Sequence, residues 1–468
     1  MLVAIGGALR LRQYLSLPSF WENEVAVMLN ARHYTASELP FSHLVSYNTQ
    51  NPVAAPPIFL LITKWMGDFF NYSEWSVRLL PLLCSLAAIG LFAHLAWRLL
   101  QPAAAVWAVA LLAFSDPLIF QAGDAKPYSG DVLVAVLIVW VALAFRPNAA
   151  VWKRLALASA VTAASVWISY TAVFVLAAVG LSVFEKLNKN RWRALIKLVA
   201  CVLPAIASLA VVYFLSIRRQ RDPNLDLFWL HLFPDWRKPL SVAPFISSGT
   251  WELFRYAFYP IGPIMLIAFG LGIVALWREG NQRLLILLLS PLAIDLAAAC
   301  TYQYPFGGTR LLLYLIPFVC LLCGIGAASA GRQFRWVGRA LQMILASVPV
   351  AAAAVAVYGL FWPQNFGNMR DAVHFLSINR KANETVYLMG AQTVSASRWY
   401  LPQPDSRVHL QLDKSWPIHG DNFWLVICYE TRKDQKHDPA MHQPDSVLDE
   451  SRSFHTRGAD VLWFAPKG

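Results

Sequence analysis

Apolar residues in this chain gather in long runs, and polar residues crowd into the gaps between them. The runs Ser76 to Leu95, Ala103 to Phe120, Val132 to Phe145, Ala194 to Leu215 and Tyr256 to Leu276 come first, followed by Leu284 to Cys300, Leu311 to Ala328 and Ala340 to Leu360. They approach or reach the length of a bilayer-crossing helix, about 20 residues. Backbone groups in hydrocarbon must be paired within their own segment, so each run predicts a helix. Leu155 to Phe184 is different. At 1.5 Å per residue it would make one helix of about 45 Å, longer than the hydrocarbon core, and it has basic residues at both ends ("WKR" and "EKLNKNRWR"). Two short spans meeting near "ISYTA", Ile168 to Ala172, keep both basic flanks on one side. Met1 to Leu9 is too short to cross; either the span continues through Leu17 or the true start lies upstream, and no cleavable signal peptide is visible. Ile58 to Phe70 carries Lys64 and Asp68 and reads as an amphipathic helix lying at the interface.

Charge turns this pattern into a topology. Arg98, Arg146, Lys153 and Arg154 mark the cytoplasmic side. About eleven spans follow, with a first outer loop over 18–75, a second over Ser216 to Glu252, and a tail outside the membrane. The tail alternates a helical pattern, "NMRDAVHFLSINR", with apolar strands, "TVYLMG", "FWLVICYE" and "ADVLWFA". The expected fold is an all-α polytopic membrane protein with interfacial helices and a small C-terminal α/β domain. Its division falls into 1–365 and 366–468.

Composition agrees. The chain is 57% hydrophobic and 14% charged, against about 25% charged in soluble proteins. Its net charge of +12 sits at the ends of apolar runs, which speaks for topology and against nucleic acid. The tail has no GxGxxG and is not read as nucleotide-binding. Six cysteines form no disulfide framework, and the CxxC of Cys320 and Cys323 lies inside an apolar run, where core packing is the natural reading.

The topology gathers Glu22, Glu24, Gln50, Asp124, Lys126, Tyr128, Asp131 and Arg310 on the outer side. Carboxylates beside apolar surface suit acid–base work or a divalent ion, and Lys126 with Arg310 suits a phosphate. A lipid-linked phosphate fits better than a soluble nucleotide donor, because its tail can lie between spans. Each residue also has a structural reading. Glu22 and Glu24 could form a solvated loop face. Asp131 could cap the helix Val132 to Phe145. Arg310, Trp21, Tyr128 and Tyr304 could be interfacial anchors. His33 and His43 lack ligand spacing, and His94 and His231 have no evident partner.

In order and spacing, these motifs resemble the membrane-embedded GT-C glycosyltransferases, in the branch of protein O-mannosyltransferases and lipid A aminoarabinose transferases. The resemblance rests on "ALRLRQYLSLPSFWENEVAVMLNA", "QNPVAAPPIFLLITKW", "EWSVRLLPLLCSL", "KPYSGD" and "YPFGGTRLLLYLIP". It implies inverting transfer of a sugar from a polyprenyl-phosphate donor to a lipid, glycan or protein acceptor. It further implies catalysis on the outer face of a bacterial inner membrane. The family's first-loop "D-E" aspartate acts as base or orients the acceptor, and here its place is taken by Asn23, which follows Trp21 in the motif and stands between Glu22 and Glu24. An amide cannot accept a proton from a hydroxyl at ordinary pH. Glu22 or Glu24 could replace it, the acceptor could need less help, or the chain could bind without transferring. The resemblance matches Glu24 to the family glutamate and Asp131 to the second outer acid, and leaves Asp124 unmatched. Lys126 and Arg310, with Tyr128 beside them, are then expected to hold the donor phosphate. No cofactor is established, although a divalent ion could bridge carboxylate and phosphate. The rival reading is a transporter or flippase of a lipid-linked substrate, which would need polar groups along a path through the bilayer. Within the spans Asp295 is the clearest such group, with Ser165 and His94 as minor companions.

Overall fold

The computed structural model describes residues 1–45, 53–144, 151–184, 191–221, 229–333, 350–351, 353–361, 367–401, 406–411, 422–429 and 446–466. The chain is mostly helical, with a small mixed sheet at its C-terminal end. It opens with α1 (Leu2–Leu15), α2 (Glu22–His33), α3 (Pro57–Phe69) and α4 (Glu74–Leu99). Proline at the first position of α3 suits a helix start, since its missing N–H has no partner there anyway. The exposed Trp65 and Phe69 give α3 the apolar outer side expected of an interfacial helix.

Among the described residues three helical runs are long and apolar enough to cross a membrane: Glu74–Leu99, Gln282–Cys300 and Arg310–Ala330. A bent pair makes a fourth. Two expected spans differ from their prediction. Ala103 to Phe120 is broken into α5 (Pro102–Ala113) and α6 (Asp116–Gln121), because Pro117 has no N–H for the Ala113 carbonyl and its ring would clash with it, so one helix stops at Ala113 and the next starts after Ser115. Tyr256 to Leu276 is helical from Gly262 onward and begins after a break. The helix α11 (Val242–Ala257) occupies the end of the predicted loop and turns by 111° into α12 (Gly262–Arg278) across the "FYPI" break. Between these pairs, α7 (Tyr128–Ala144) leads to α8 (Val151–Ile168) and α9 (Ala172–Phe184), which meet at 169–171 as the basic flanks predict. α10 (Arg191–Val212) follows, and α13 (Gln282–Cys300) and α14 (Ile316–Gln333) complete the bundle before a helical stretch over 353–361.

The bundle core is packed at small residues. A Cβ at Gly326 of α14 would lie 1.8 Å from the Ala268 carbonyl of α12, and one at Gly272 would lie 2.1 Å from the Leu322 carbonyl. Glycine at both contacts lets the two backbones touch, which is how apolar helices gain packing where burial in lipid offers little gain. Cys320 and Cys323 are buried free thiols of this core, and Cys323 Sγ bonds the Met265 carbonyl at 3.4 Å. Asp295 is also buried, and the Tyr314 hydroxyl donates to it at 2.5 Å.

The C-terminal segment holds α15 (Met369–Asn379), α16 (Ala391–Tyr400) and six strands. These are β1 (Thr385–Met389), β2 (Val408–Gln411), β3 (Phe423–Cys428), β4 (Ser446–Leu448), β5 (Phe454–Thr456) and β6 (Ala459–Pro466). The sheet order is β2-β1-β3-β6-β4, parallel at β2-β1-β3 and antiparallel at β6, with β5 also on β6. Alternation sorts the strands by face. Val386, Leu388, Trp424 and Val426 pack under α15 and α16, while Tyr387, Met389, Phe423 and Leu425 form a second cluster. Trp399 and Tyr400 leave this unit and pack into the cluster around Phe20, Val25 and Leu60.

Candidate active site

Four pieces of chain converge at one end of the bundle: the start of α2, the first turns of α4, the turn over 122–127 and Arg310. Glu24 organises them. It is fully buried, and both of its oxygens are occupied. Arg78 Nε donates to Oε1 at 2.7 Å and Nη2 to Oε2 at 2.5 Å, a bidentate pair. The Ala125 N–H adds 2.7 Å to Oε1, and the Trp21 N–H, just before the helix, donates to Oε2 at 3.3 Å. Arg78 also holds the Pro18 and Ser19 carbonyls at 2.5 and 3.3 Å. One carboxylate therefore fixes the start of α2 and the turn at Ala125 to the same guanidinium.

On that turn, Asp124 and Lys126 flank Ala125. Trp21 Nε1 donates to Asp124 Oδ1 at 3.0 Å, while Oδ2 is buried with no hydrogen-bond partner. Burial pushes the Asp124 carboxyl up to about 7. The nearby Glu24 charge adds to this, against the Trp21 N–H, Lys126 and Arg310. Lys126 is buried too, and is pulled down to about 8 by desolvation and by Arg310, against the carboxylates of Asp124, Glu24 and Glu22. The Arg310 guanidinium stands 5.2 Å from the Trp21 ring centre and 5.9 Å from that of Tyr128, and its Nε has no partner. The side chains of Gln121 and Thr309 each hold a further buried oxygen without a hydrogen bond. Two cations, one open carboxylate oxygen and several unused polar atoms together form a place for an anionic, hydroxyl-bearing ligand.

No family model matches the chain, and no curated protein matches it by sequence. Solved structures do match. ArnT from Cupriavidus metallidurans in the apo state superposes with a TM-score of 0.50 at 15% identity, over 98% of this chain and 97% of that one. The Archaeoglobus fulgidus oligosaccharyltransferase tethered with an acceptor peptide gives 0.50 at 10% identity, over 88% of this chain and 63% of that one. The chain shares the fold of these two GT-C glycosyltransferases.

On this GT-C scaffold Trp21, Glu22, Glu24, Asp124, Lys126, Tyr128 and Arg310 come together, and Asn23 lies among them. Asn23 is 7% exposed, and no hydrogen bond holds its amide among the described residues. Asp131 differs from its expected place. Helix α7 begins at Tyr128, so Asp131 lies inside the first turn rather than at the cap, and it stands against Ser169. Gln50 falls outside the described residues. Among the described residues no three His, Cys, Asp or Glu side chains are grouped to hold a metal ion. Arg78 is the organiser that sequence reasoning missed. Its signal was a charged residue one turn inside an apolar run, where an unpaired charge would be costly.

Proposed function

We propose that the chain is a membrane glycosyltransferase that takes a sugar from a polyprenyl-phosphate donor and passes it, with inversion, to an acceptor hydroxyl on the outer face of the membrane. In this reading about eleven helices cross the bilayer, residues 1–365 form the transferase part, and 366–468 form a separate extracytoplasmic domain. Lys126 and Arg310 hold the donor phosphate, Tyr128 lines it, and the lipid tail lies between helices. Asp124 Oδ2 takes the proton of the acceptor hydroxyl. The acceptor oxygen then bonds to the anomeric carbon as the bond from that carbon to the phosphate oxygen breaks, and the electron pair leaves with the lipid phosphate. The two cations stabilise the charge that develops there. Glu24 holds the turn that carries the base, while Glu22 and Asp131 are assigned to acceptor positioning.

The observation that carries this reading is the open, buried Asp124 oxygen one residue from Ala125 and two from Lys126. It moves the base from Glu24 to Asp124, because all four acceptor positions of Glu24 are filled. Asn23 supports a second reading, a relative that binds the donor without transferring. The test is transfer by the purified protein from a panel of undecaprenyl-phosphate sugars. Turnover that is lost in Asp124→Asn with undecaprenyl-phosphate binding intact supports the first reading. Binding without turnover in the wild type supports the second, and neither binding nor turnover removes both.

A further inference from the structure

The first N–H groups of a helix have no partner within it. At the start of α2 these groups are answered partly from the C-terminal unit. The Phe20 N–H, just before the helix, donates to the Tyr400 hydroxyl oxygen at 2.7 Å. The Glu22 N–H meets Gln392 Oε1 at 3.4 Å, while the Trp21 N–H turns inward to the Glu24 carboxylate and the Glu24 N–H to the Trp21 carbonyl. Tyr400 is itself anchored, since its O–H donates to Glu74, whose other oxygen is held by Arg370. Glu74 lies one turn before Arg78 on α4, so the same helix carries the grip on Tyr400 and the grip on Glu24. Around these bonds the seam is closed by the Ser19 hydroxyl on Asn368 Oδ1 at 3.0 Å and by the Phe20 and Trp399 rings, edge to face at 5.5 Å.

We propose that Tyr400 is a positioning residue for the transferase site: its hydroxyl, gripped by Glu74, fixes the chain entering α2 and thereby the placement of Trp21 against Asp124. The inference rests on the reading of Asp124 and Lys126 as that site. A unit far along the chain thus supplies a bond that the first loop lacks, and whatever binds or shifts α16 is felt at the turn over 122–127. The groups facing Lys126 are Arg310 from the segment after α13, Asp124 on its own turn, and Glu24 and Glu22 on α2. Loosening α2 admits water to that turn and relieves the desolvation that holds Lys126 down.

The test is the pH dependence of trace acylation of Lys126 by acetic anhydride in the full-length detergent-solubilised protein, read by mass spectrometry. The wild-type midpoint is expected at about 8. Tyr400→Phe keeps the ring and loses the hydroxyl; it is expected to move the midpoint up by about one pH unit, a tenfold fall in labelling below the midpoint. Gln392→Ala should shift it in the same direction. Tyr387→Phe removes a hydroxyl on the other face of the sheet and should leave the curve in place. A Tyr400→Phe curve that overlays the wild type, or an equal shift in Tyr387→Phe, overturns the proposal. Undecaprenyl phosphate added to the wild type tests the donor reading separately. Failure to protect Lys126 would sink that reading while the pH comparison still decides the role of Tyr400.

Discussion

The Arg78 guanidinium grips both oxygens of the Glu24 carboxylate, and both side chains are almost wholly removed from solvent. Such a pair is expensive to break on one side, because the surviving charge stays buried without compensation, at about 3–5 kcal/mol. Arg78→Met and Glu24→Gln are each expected to lower the thermal midpoint of the detergent-solubilised protein and to weaken undecaprenyl-phosphate binding, since the turn carrying Lys126 loses its anchor. The double variant should be less destabilised than the sum of the two. Strictly additive losses would show that the pair does not act as a unit.

Removing the open carboxylate should act on rate rather than on folding. Asp124→Asn keeps an acceptor for the Trp21 N–H but cannot take a proton. Transfer is expected to fall by about 10²–10⁴-fold, the usual contribution of a positioned base, with undecaprenyl-phosphate binding unchanged. Asp131→Asn, which lies away from this turn, should cost less. Near-wild-type turnover in Asp124→Asn would return the base role to another residue.

Much of this arrangement was legible in the sequence, and the parts that were not share a cause. Apolar length and basic flanks gave the helices, including the break between α8 and α9, because these are local or one-sided signals. The breaks just before Asp116-Pro117 and in "FYPI" were written in the chain as turn chemistry, yet apolar content on both sides masked them. Topology alone gathered Asp124, Lys126 and Arg310, and the structure brings the three charges close enough to act on one another. What topology could not show is which carboxylate is engaged. Glu24 meets Arg78 from 54 positions away, and Phe20 meets Tyr400 from 380, so their saturation is a property of packing. The polar tail read as a separate piece, and its reach into the first loop left no trace in pattern or spacing.

His455 offers a check on the C-terminal unit by itself. Its ring lies between two carboxylates, Nδ1 at 3.0 Å from Asp460 and Nε2 at 2.9 Å from Glu450. Burial pulls its pKa down, but the two carboxylates outweigh that and hold it above the ordinary histidine value. A raised folded-state pKa contributes stability that is fully present below the unfolded value and is lost as pH rises through the folded one. Amide exchange in the β5–β6 hairpin should therefore quicken across that window beyond its intrinsic pH dependence. His455→Gln should abolish the added quickening.

Asp124 must be ionised to accept a proton, and Lys126 must be protonated to hold a phosphate. With the first pushed up to about 7 and the second pulled down to about 8, the productive form is confined between them. The pH profile of kcat/KM is expected to be a narrow bell, falling on the acid side as Asp124 gains a proton and on the alkaline side as Lys126 loses one. A profile flat through this range would mean that neither group titrates in the free enzyme.

Asn23→Asp decides whether the missing first-loop carboxylate matters to the chemistry. Position 23 lies between Glu22 and Glu24, both of which already favour the charged form of Lys126. A third carboxylate there adds to that field, so the alkaline limb of the bell should move to higher pH. The same charge works against ionisation of Asp124, so the acid limb should move up as well. The optimum is expected to shift upward as a whole, with no gain in turnover at its peak, because Asp124 already supplies an open oxygen and the new group only changes its surroundings. A tenfold rise at the peak would show the opposite: that the amide at position 23 had held the reaction back and that the base belongs on α2 after all.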